Sequence, residues 1–171
     1  MMEATTLRLY SLDYKNVKTY LAACAFILGN ILLPQLCHLL PVGGKVLLPI
    51  YFFTLIGAYK YGWKVGLLTA VVSPIINHLL FGMPPAAVLP AILLKSVLLA
   101  ISAGLAANYF KRISILILVG VVLSYQVIGS VGEWLMTNSF YLAIQDFRMA
   151  VPGMLLQVFG GYLFIKYLIN K

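Results

Sequence analysis

The sequence has few charged residues. Asp, Glu, Lys and Arg make up only 9% of its 171 residues, whereas about a quarter of an ordinary soluble domain is charged. Hydrophobic residues make up 63% of the chain. This composition excludes an ordinary soluble domain and indicates that lipid is the solvent. The alternating segments of a membrane barrel are also absent, so helices must satisfy the backbone groups within the bilayer.

Sequence motifs of catalysis and metal binding are missing. The chain has no Gly-x-x-x-x-Gly-Lys-Ser/Thr phosphate loop, no Gly-x-Ser-x-Gly or His-Glu-x-x-His motif, and no paired aspartates of phosphatidyl transfer. Cys24 and Cys37 are too far apart along one predicted helix to pair. His38 and His78 lie on separate helices without a cluster of other metal ligands. We therefore expect no enzyme activity, no metal and no cofactor.

The apolar residues fall into stretches that match the length of a membrane-spanning helix, about 20 residues. These stretches are Val17–Leu39, Val46–Tyr61, Trp63–Gly82, Ala87–Phe110, Ile113–Met136 and Ala150–Ile169. They predict an all-α integral membrane protein, with one six-helix transmembrane domain over residues 1–171. Residues 1–14 contain charges and no continuous apolar core, so we interpret them as a short cytoplasmic segment rather than a removed signal peptide.

The basic residues are sorted by side. If the N-terminus is cytoplasmic, Lys45 and Arg148 lie outside and Lys95 lies within a span. The remaining bases of the short loops and termini lie inside: Arg8, Lys15, Lys18, Lys60, Lys64, Lys111, Arg112, Lys166 and Lys171. This bias predicts a multi-pass protein with both termini in the cytoplasm. Contact of the basic rim with anionic membrane lipid explains the net charge of +8, so no nucleic-acid partner is expected.

The prolines cluster toward the opposite, outer side. Five lie in the outer halves of predicted spans and three in outer loops: Pro34, Pro49, Pro74, Pro90 and Pro152, then Pro41, Pro84 and Pro85. Proline removes a backbone donor and kinks a helix, which a membrane protein tolerates where protein or a water-filled cavity satisfies the freed groups. The pattern favours an outer binding cavity. The alternative is that prolines simply collect near helix ends.

Polar side chains follow the same distribution. Asn30 and His38 lie in the outer part of the first predicted helix, Asn77 and His78 in that of the third, Glu133 and Trp134 in that of the fifth, and Gln157 in the sixth. The spacing of Gln126, Ser130 and Glu133 by four and then three residues places them on one stripe. Such a stripe faces protein or water. Hydrogen bonding between helices explains these residues as well as ligand binding does.

Lys95 lies deep within the fourth predicted helix, beyond easy reach of the interface by snorkelling. An intramembrane lysine costs about 3 kcal/mol or more at the bilayer centre and normally faces the bundle interior with a partner. The partner is Glu133, an anionic group of a ligand, or both together, and simple snorkelling of the lysine to the interface is the remaining alternative. Trp134 could stack a flat ring while Glu133 accepts its donors, or it could belong to an interfacial aromatic belt.

The run from Gly66 to Gly82, followed by Pro84, Pro85, Leu89 and Pro90 and by a polar residue within helix four, resembles a known family. Nearly the whole chain is similar to the substrate-binding S components of energy-coupling factor (ECF) transporters, which capture vitamins in prokaryotes. The resemblance implies an S-component-like bundle in the cytoplasmic membrane. Ala25 and Gly29 depart by a glycine from the family's small-residue face for docking the coupling subunit, and Lys95 stands where an acid is more usual.

The resemblance also implies how the chain would work. A vitamin or related micronutrient would bind from outside in a cup formed by helices four to six and the first loop. The expected substrate-binding residues are Lys95, Gln126, Ser130, Glu133, Trp134, Gln157, Asn77, His78, His38 and Asn30. A transmembrane coupling subunit and two ATPase subunits would then drive uptake. The alternative is a non-transporting membrane scaffold of the rod-shape type. Lys95 favours an anionic ligand and Glu133 with Trp134 a cationic or donor-rich one, so the ligand stays open.

Overall fold

The computed structural model describes residues 5–6, 10–39 and 43–168, and only the backbone of Thr5, Thr6 and Leu168. The helices in chain order are α1 (Val17–Cys37), α2 (Gly43–Leu47), α3 (Phe52–Tyr61), α4 (Trp63–Phe81), α5 (Leu89–Phe110), α6 (Ile115–Thr137), α7 (Phe140–Ala143), α8 (Gln145–Met149), α9 (Val151–Leu155) and α10 (Gly161–Leu163). Two short strands, β1 (Thr5–Thr6) and β2 (Arg112–Ile113), pair antiparallel. The fold of the described residues is therefore almost entirely helical.

Four of these helices are long and apolar enough to cross a membrane: α1, α4, α5 and α6. Their apolar residues are not confined to one face, and each exposes large hydrophobic side chains such as Leu32, Leu79, Leu105 and Leu135. A helix that is apolar all round is typical of a membrane span. The predicted all-helical, membrane-spanning class agrees with these helices in its general form.

The second predicted stretch, Val46–Tyr61, is divided rather than continuous. Leu48 has a left-handed backbone with a φ of 47°, and Pro49 then begins a 3₁₀ turn over Pro49–Tyr51. Only the ten residues of α3 continue as an α-helix, which is about 15 Å of length. Leu55, Ile56 and Ala58 of α3 are completely buried. The apolar character of α3 thus serves packing against its neighbours α1, α4 and α5.

The last predicted stretch, Ala150–Ile169, is helical but irregular. Two π-helical segments, Leu156–Gly160 and Phe164–Leu168, flank α10. Together with α9 they form a helical run from Val151 to Leu168, and Ile169 lies outside the described residues. A π-helical turn carries one extra residue and is often found at functional sites.

The prolines occupy two kinds of position. Pro34 and Pro74 lie inside α1 and α4, whereas Pro49, Pro90 and Pro152 lie in the first turn of their elements. A first-turn proline leaves the helical hydrogen bonds intact. Helix ends therefore account for these three prolines, and Pro41 lies outside the described residues.

The two ends of the bundle differ in what closes them. At one end, Lys64 forms an ion pair of 2.7 Å with Asp13, and the N–H of Tyr10 donates to the carbonyl of Lys60. At the other end, the short helix α2 packs against α8 and α9. The contact is close, because a Cβ on Gly153 would lie 2.5 Å from the carbonyl carbon of Leu47. Of these short helices, α2 and α8 contribute residues to the lining of the cavity described below, and we call this end of the bundle the cavity end.

Candidate ligand-binding site

A cavity of about 470 Å³ lies at the cavity end of the bundle. Its walls come from the end of α1, from α2 and the residues after it, from the segment between α4 and α5, and from α5, α6 and α8. Its polar and charged lining residues are His38, Lys45, Lys95, Glu133, Gln145 and Asp146. The remaining lining is mostly apolar and includes Leu48, Ile50, Tyr51, Met83, Val88 and Ile92. Small-molecule sites are typically cavities of about 300–1,000 Å³ with few polar groups in an apolar wall.

Lys95 forms the centre of the charged lining. Its Nζ lies 2.6 Å from Oε2 of Glu133 and 2.7 Å from Oδ2 of Asp146. The Lys95 side chain is only 4% exposed, and those of Glu133 and Asp146 are 15% and 16% exposed. A buried ammonium needs such partners, because its desolvation is otherwise uncompensated. Two carboxylates thus hold the lysine in one position at the cavity wall.

Three separate elements supply these charges. Lys95 lies in the second turn of α5, Glu133 near the end of α6, and Asp146 at the start of α8. The α8 segment lies in the connection between α6 and α9. The ion pairs therefore join this connection to the two long helices and fix one wall of the cavity.

The polar stripe of α6 faces the protein interior. Gln126 is completely buried, and its Nε2 donates to the Tyr125 hydroxyl at 3.2 Å. The same hydroxyl donates to Oε1 of Gln157 at 2.9 Å. Within the described part of the chain, Oε1 of Gln126, Nε2 of Gln157 and the Ser130 hydroxyl are buried without a hydrogen-bond partner. These side chains form a buried polar layer rather than the cavity wall itself.

Asn30 and Asn77 belong to another buried network. Asn30 Nδ2 donates to the hydroxyls of Thr54 and Ser73, and its Oδ1 accepts from the backbone N–H of Phe53 at 3.1 Å. Asn77 Nδ2 donates to the carbonyl of Asn30 at 2.9 Å. The N–H of Phe53 lies in the first turn of α3, where the helix itself offers no acceptor. The network therefore joins α1, α3 and α4 and does not contribute to the cavity lining.

The two histidines support the rim of the cavity. Nδ1 of His38 lies 2.7 Å from the carbonyl of Pro34, and His38 itself lines the cavity. Nδ1 of His78 lies 2.7 Å from the carbonyl of Pro84, which is another lining residue. Trp134, by contrast, is 47% exposed and packs edge-on against Phe140. It lies apart from the cavity lining.

The two small residues of α1 have different surroundings. Ala25 is exposed on the surface of the bundle. Gly29 faces inward, because a Cβ at this position would lie 2.7 Å from Cδ2 of Phe53. The close approach that the small residue permits at Gly29 is therefore made by α3 within the chain, and Ala25 alone is free to meet a partner.

Asp146 is the residue of the site that the sequence interpretation missed. It lies between the predicted stretches Ile113–Met136 and Ala150–Ile169, in a segment that no sequence motif marks. The chain has four acidic residues, and a buried lysine requires negative partners, so this scarcity was the available signal. Tyr51 and Tyr125 were also missed, because the local sequence does not indicate which residues an aromatic side chain in an apolar stretch contacts.

The arrangement can hold a small molecule against fixed charges in a cavity with an otherwise mostly apolar lining. Among the described residues, no group of three or more His, Cys, Asp and Glu side chains is placed to hold a metal ion. Comparison of this chain with protein-family models, with curated proteins and with solved structures gave no match.

Proposed function

We propose that this chain is the membrane-embedded substrate-capture subunit of an ECF-type transporter in a prokaryotic cytoplasmic membrane. It binds a water-soluble vitamin or related micronutrient from outside. A transmembrane coupling subunit and two ATPase subunits then drive uptake. The observation that carries this proposal is the cavity around Lys95, a charged site of ligand size among helices long and apolar enough to cross a membrane.

The position of the cavity supports this direction of binding. Its lining comes from segments that carry few bases, including residues 83–88 and 145–146. The opposite end contains Lys60, Lys64, Lys111 and Arg112, which the positive-inside rule assigns to the cytoplasm. In this orientation both termini are cytoplasmic, and the segments 46–61 and 151–168 complete six passes through the bilayer.

The closed floor of the cavity supports capture rather than free conduction. Tyr51 lines the cavity and is only 2% exposed, and its ring packs against that of buried Tyr125 at a centroid distance of 5.6 Å. Both tyrosines belong to the same buried apolar core as residues of α3, α4 and α5. A ligand that enters such a site cannot continue through the protein unless the bundle changes its position or shape. Release into the cell then requires partner subunits.

Copurification tests this proposal. We expect an affinity-tagged chain, extracted from membranes of its source organism, to bring down one multi-pass subunit and two ATPases. Ala25→Trp places a large ring on the exposed face of α1 and should reduce this association, whereas Leu105→Trp on the exposed face of α5 should not. Copurification of cell-shape proteins without any ATPase would instead favour the membrane scaffold and contradict the proposal.

A further inference from the structure

We infer that the cavity recognises a cationic, hydrogen-bond-donating group on a small, partly apolar ligand, such as a primary amine, an amidinium or a protonated heterocycle. This inference rests on the proposed function and narrows its substrate class. It also decides between the two ligand chemistries that Lys95 and Glu133 leave open in the sequence.

The balance of charge at the cavity wall carries the inference. Lys95 is paired with both Glu133 and Asp146, so two negative charges face one positive charge and the group has a net charge of −1. Lys45 is the other lysine of the lining, and its side chain is exposed at the rim. An anionic ligand bound against the Lys95 group would bring a third negative charge to its single cation, and like charges at short distance repel one another.

The carboxylates also retain unused acceptors. Lys95 contacts Oε2 of Glu133 and Oδ2 of Asp146. No described donor forms a hydrogen bond with the second oxygen of either carboxylate, Oε1 or Oδ1. Each ionised carboxylate accepts hydrogen bonds at both oxygens, and both side chains keep part of their surface open at the cavity. Two acceptors therefore remain for a donor-bearing ligand, and charge-assisted hydrogen bonds are the stronger kind.

Lys95 has few hydrogen-bond donors free for an anionic ligand. Its ammonium has three donors, and two of them point to carboxylates that are already in contact. The third can reach a neutral acceptor such as a carbonyl or hydroxyl of the ligand. An anion could bind the lysine strongly only by displacing Glu133 or Asp146, which would leave that carboxylate unpaired at an apolar wall.

The remaining lining of the cavity indicates the chemistry of the uncharged part of the ligand. Leu48, Ile50, Val88 and Ile92 offer hydrocarbon surface, and Tyr51 offers an aromatic one. The ligand class that fits is a compact molecule with a positive head and an apolar or aromatic body.

A set of three probes of similar shape tests this inference. The probes are 2-phenylethylamine, 3-phenylpropionate and 2-phenylethanol, and the measurement is the shift in thermal unfolding of the ligand-depleted, detergent-purified chain. We expect the amine to bind at least about tenfold more tightly than the carboxylate, since the amine alone can donate charge-assisted hydrogen bonds to Glu133 and Asp146. Glu133→Gln and Asp146→Asn should each reduce this preference. Asp13→Asn removes an acid at the opposite end and should leave it unchanged.

The outcomes separate the two proposals. A carboxylate probe that binds as tightly as the amine, or three probes that all fail to bind, would overturn the ligand class. Because Glu133→Gln and Asp146→Asn each leave Lys95 one carboxylate partner, at least one of them should fold, and an unchanged amine preference in a folded variant also overturns it. An amine preference in a chain that associates with no ATPase would refute the transporter and leave the ligand class standing.

Discussion

Gly129 lies directly beneath the side chain of Lys95. A Cβ on Gly129 would come 2.5 Å from Cγ of Lys95 and 3.5 Å from its Cβ and Cδ. The bare backbone of α6 therefore lets the stem of the lysine cross from α5 and extend its ammonium to Glu133, one turn further along α6. The glycine is a requirement of the site and not only of helix packing.

The first prediction concerns this contact. We expect Gly129→Ala to lower the thermal unfolding midpoint and to weaken binding of amine probes. The added methyl group would clash with Cγ of Lys95, and this atom lies too close to the backbone to move away without displacing the helix or the ammonium. Gly120→Ala is the matched control, since no described atom lies within 4 Å of the added Cβ. On helix propensity alone, alanine should stabilise by about 0.5–1 kcal/mol relative to glycine. Equal effects of the two substitutions would refute the role given to Gly129.

The second prediction concerns the ion pairs. Lys95→Met leaves Glu133 and Asp146 without their cation, and removal of one partner from a buried ion pair typically costs about 3–5 kcal/mol. We expect a large loss in the free energy of unfolding, measured in mixed micelles. Combining Lys95→Met with Glu133→Gln and Asp146→Asn should recover most of that loss. A triple variant as unstable as Lys95→Met would show that the lysine stabilises the bundle in some other way.

The third prediction separates structure from binding. Asn30→Ala removes the acceptor of the Phe53 N–H and two donations to hydroxyls. Leaving buried groups unsatisfied costs about 1–3 kcal/mol, so stability should fall by roughly that amount, while the order of probe affinities should stay the same. Asn108→Ala, at an exposed position of α5, is the control. A reversed order of probe affinities would place Asn30 in ligand recognition.

The fourth prediction concerns pH at the opposite end. The hydrogen bond from Lys64, helped by the backbone N–H of Tyr14, holds the pKa of Asp13 below its usual value of 3.8. The folded state therefore prefers the ionised acid, so the contribution to stability is complete above the unfolded pKa. It is lost as the pH falls through the folded pKa. The small gap in melting midpoint between the parent and Asp13→Asn should close in this acidic range, and a gap that widens there would contradict the assignment.

The long helices could be predicted from the sequence because lipid requires continuous apolar runs. The predicted stretches Trp63–Gly82 and Ile113–Met136 differ by one or two residues from α4 and α6. The stretch Val46–Tyr61 was less predictable, since hydropathy does not distinguish a helix in lipid from one in a protein core. The left-handed backbone of Leu48 breaks it, and leucine carries no local signal for that conformation.

The candidate site was predictable only in part. A buried lysine in an apolar helix needs a negatively charged partner, so the sequence indicated Glu133 as one of the possible partners of Lys95. The structure shows that the two side chains are paired. The contribution of Asp146 depends on how the connection between α6 and α9 folds back over the bundle, and no local pattern specifies this. Gln126 and Asn30 show the converse limit: their polarity marks burial in protein, but the sequence cannot say whether a ligand or another helix is the partner.

The central claim is that the cavity around Lys95 captures a small molecule. Its most direct test is mass spectrometry of the small molecules released by denaturing the chain after purification from its source membranes. We predict that the parent and Leu105→Phe, which alters the exposed face of α5, release the same compound, and that the compound carries a basic nitrogen. Ala91→Phe, which fills the cavity from a buried lining position, should release much less of it. An Ala91→Phe variant that folds and retains the compound at the parent level would contradict capture in this cavity.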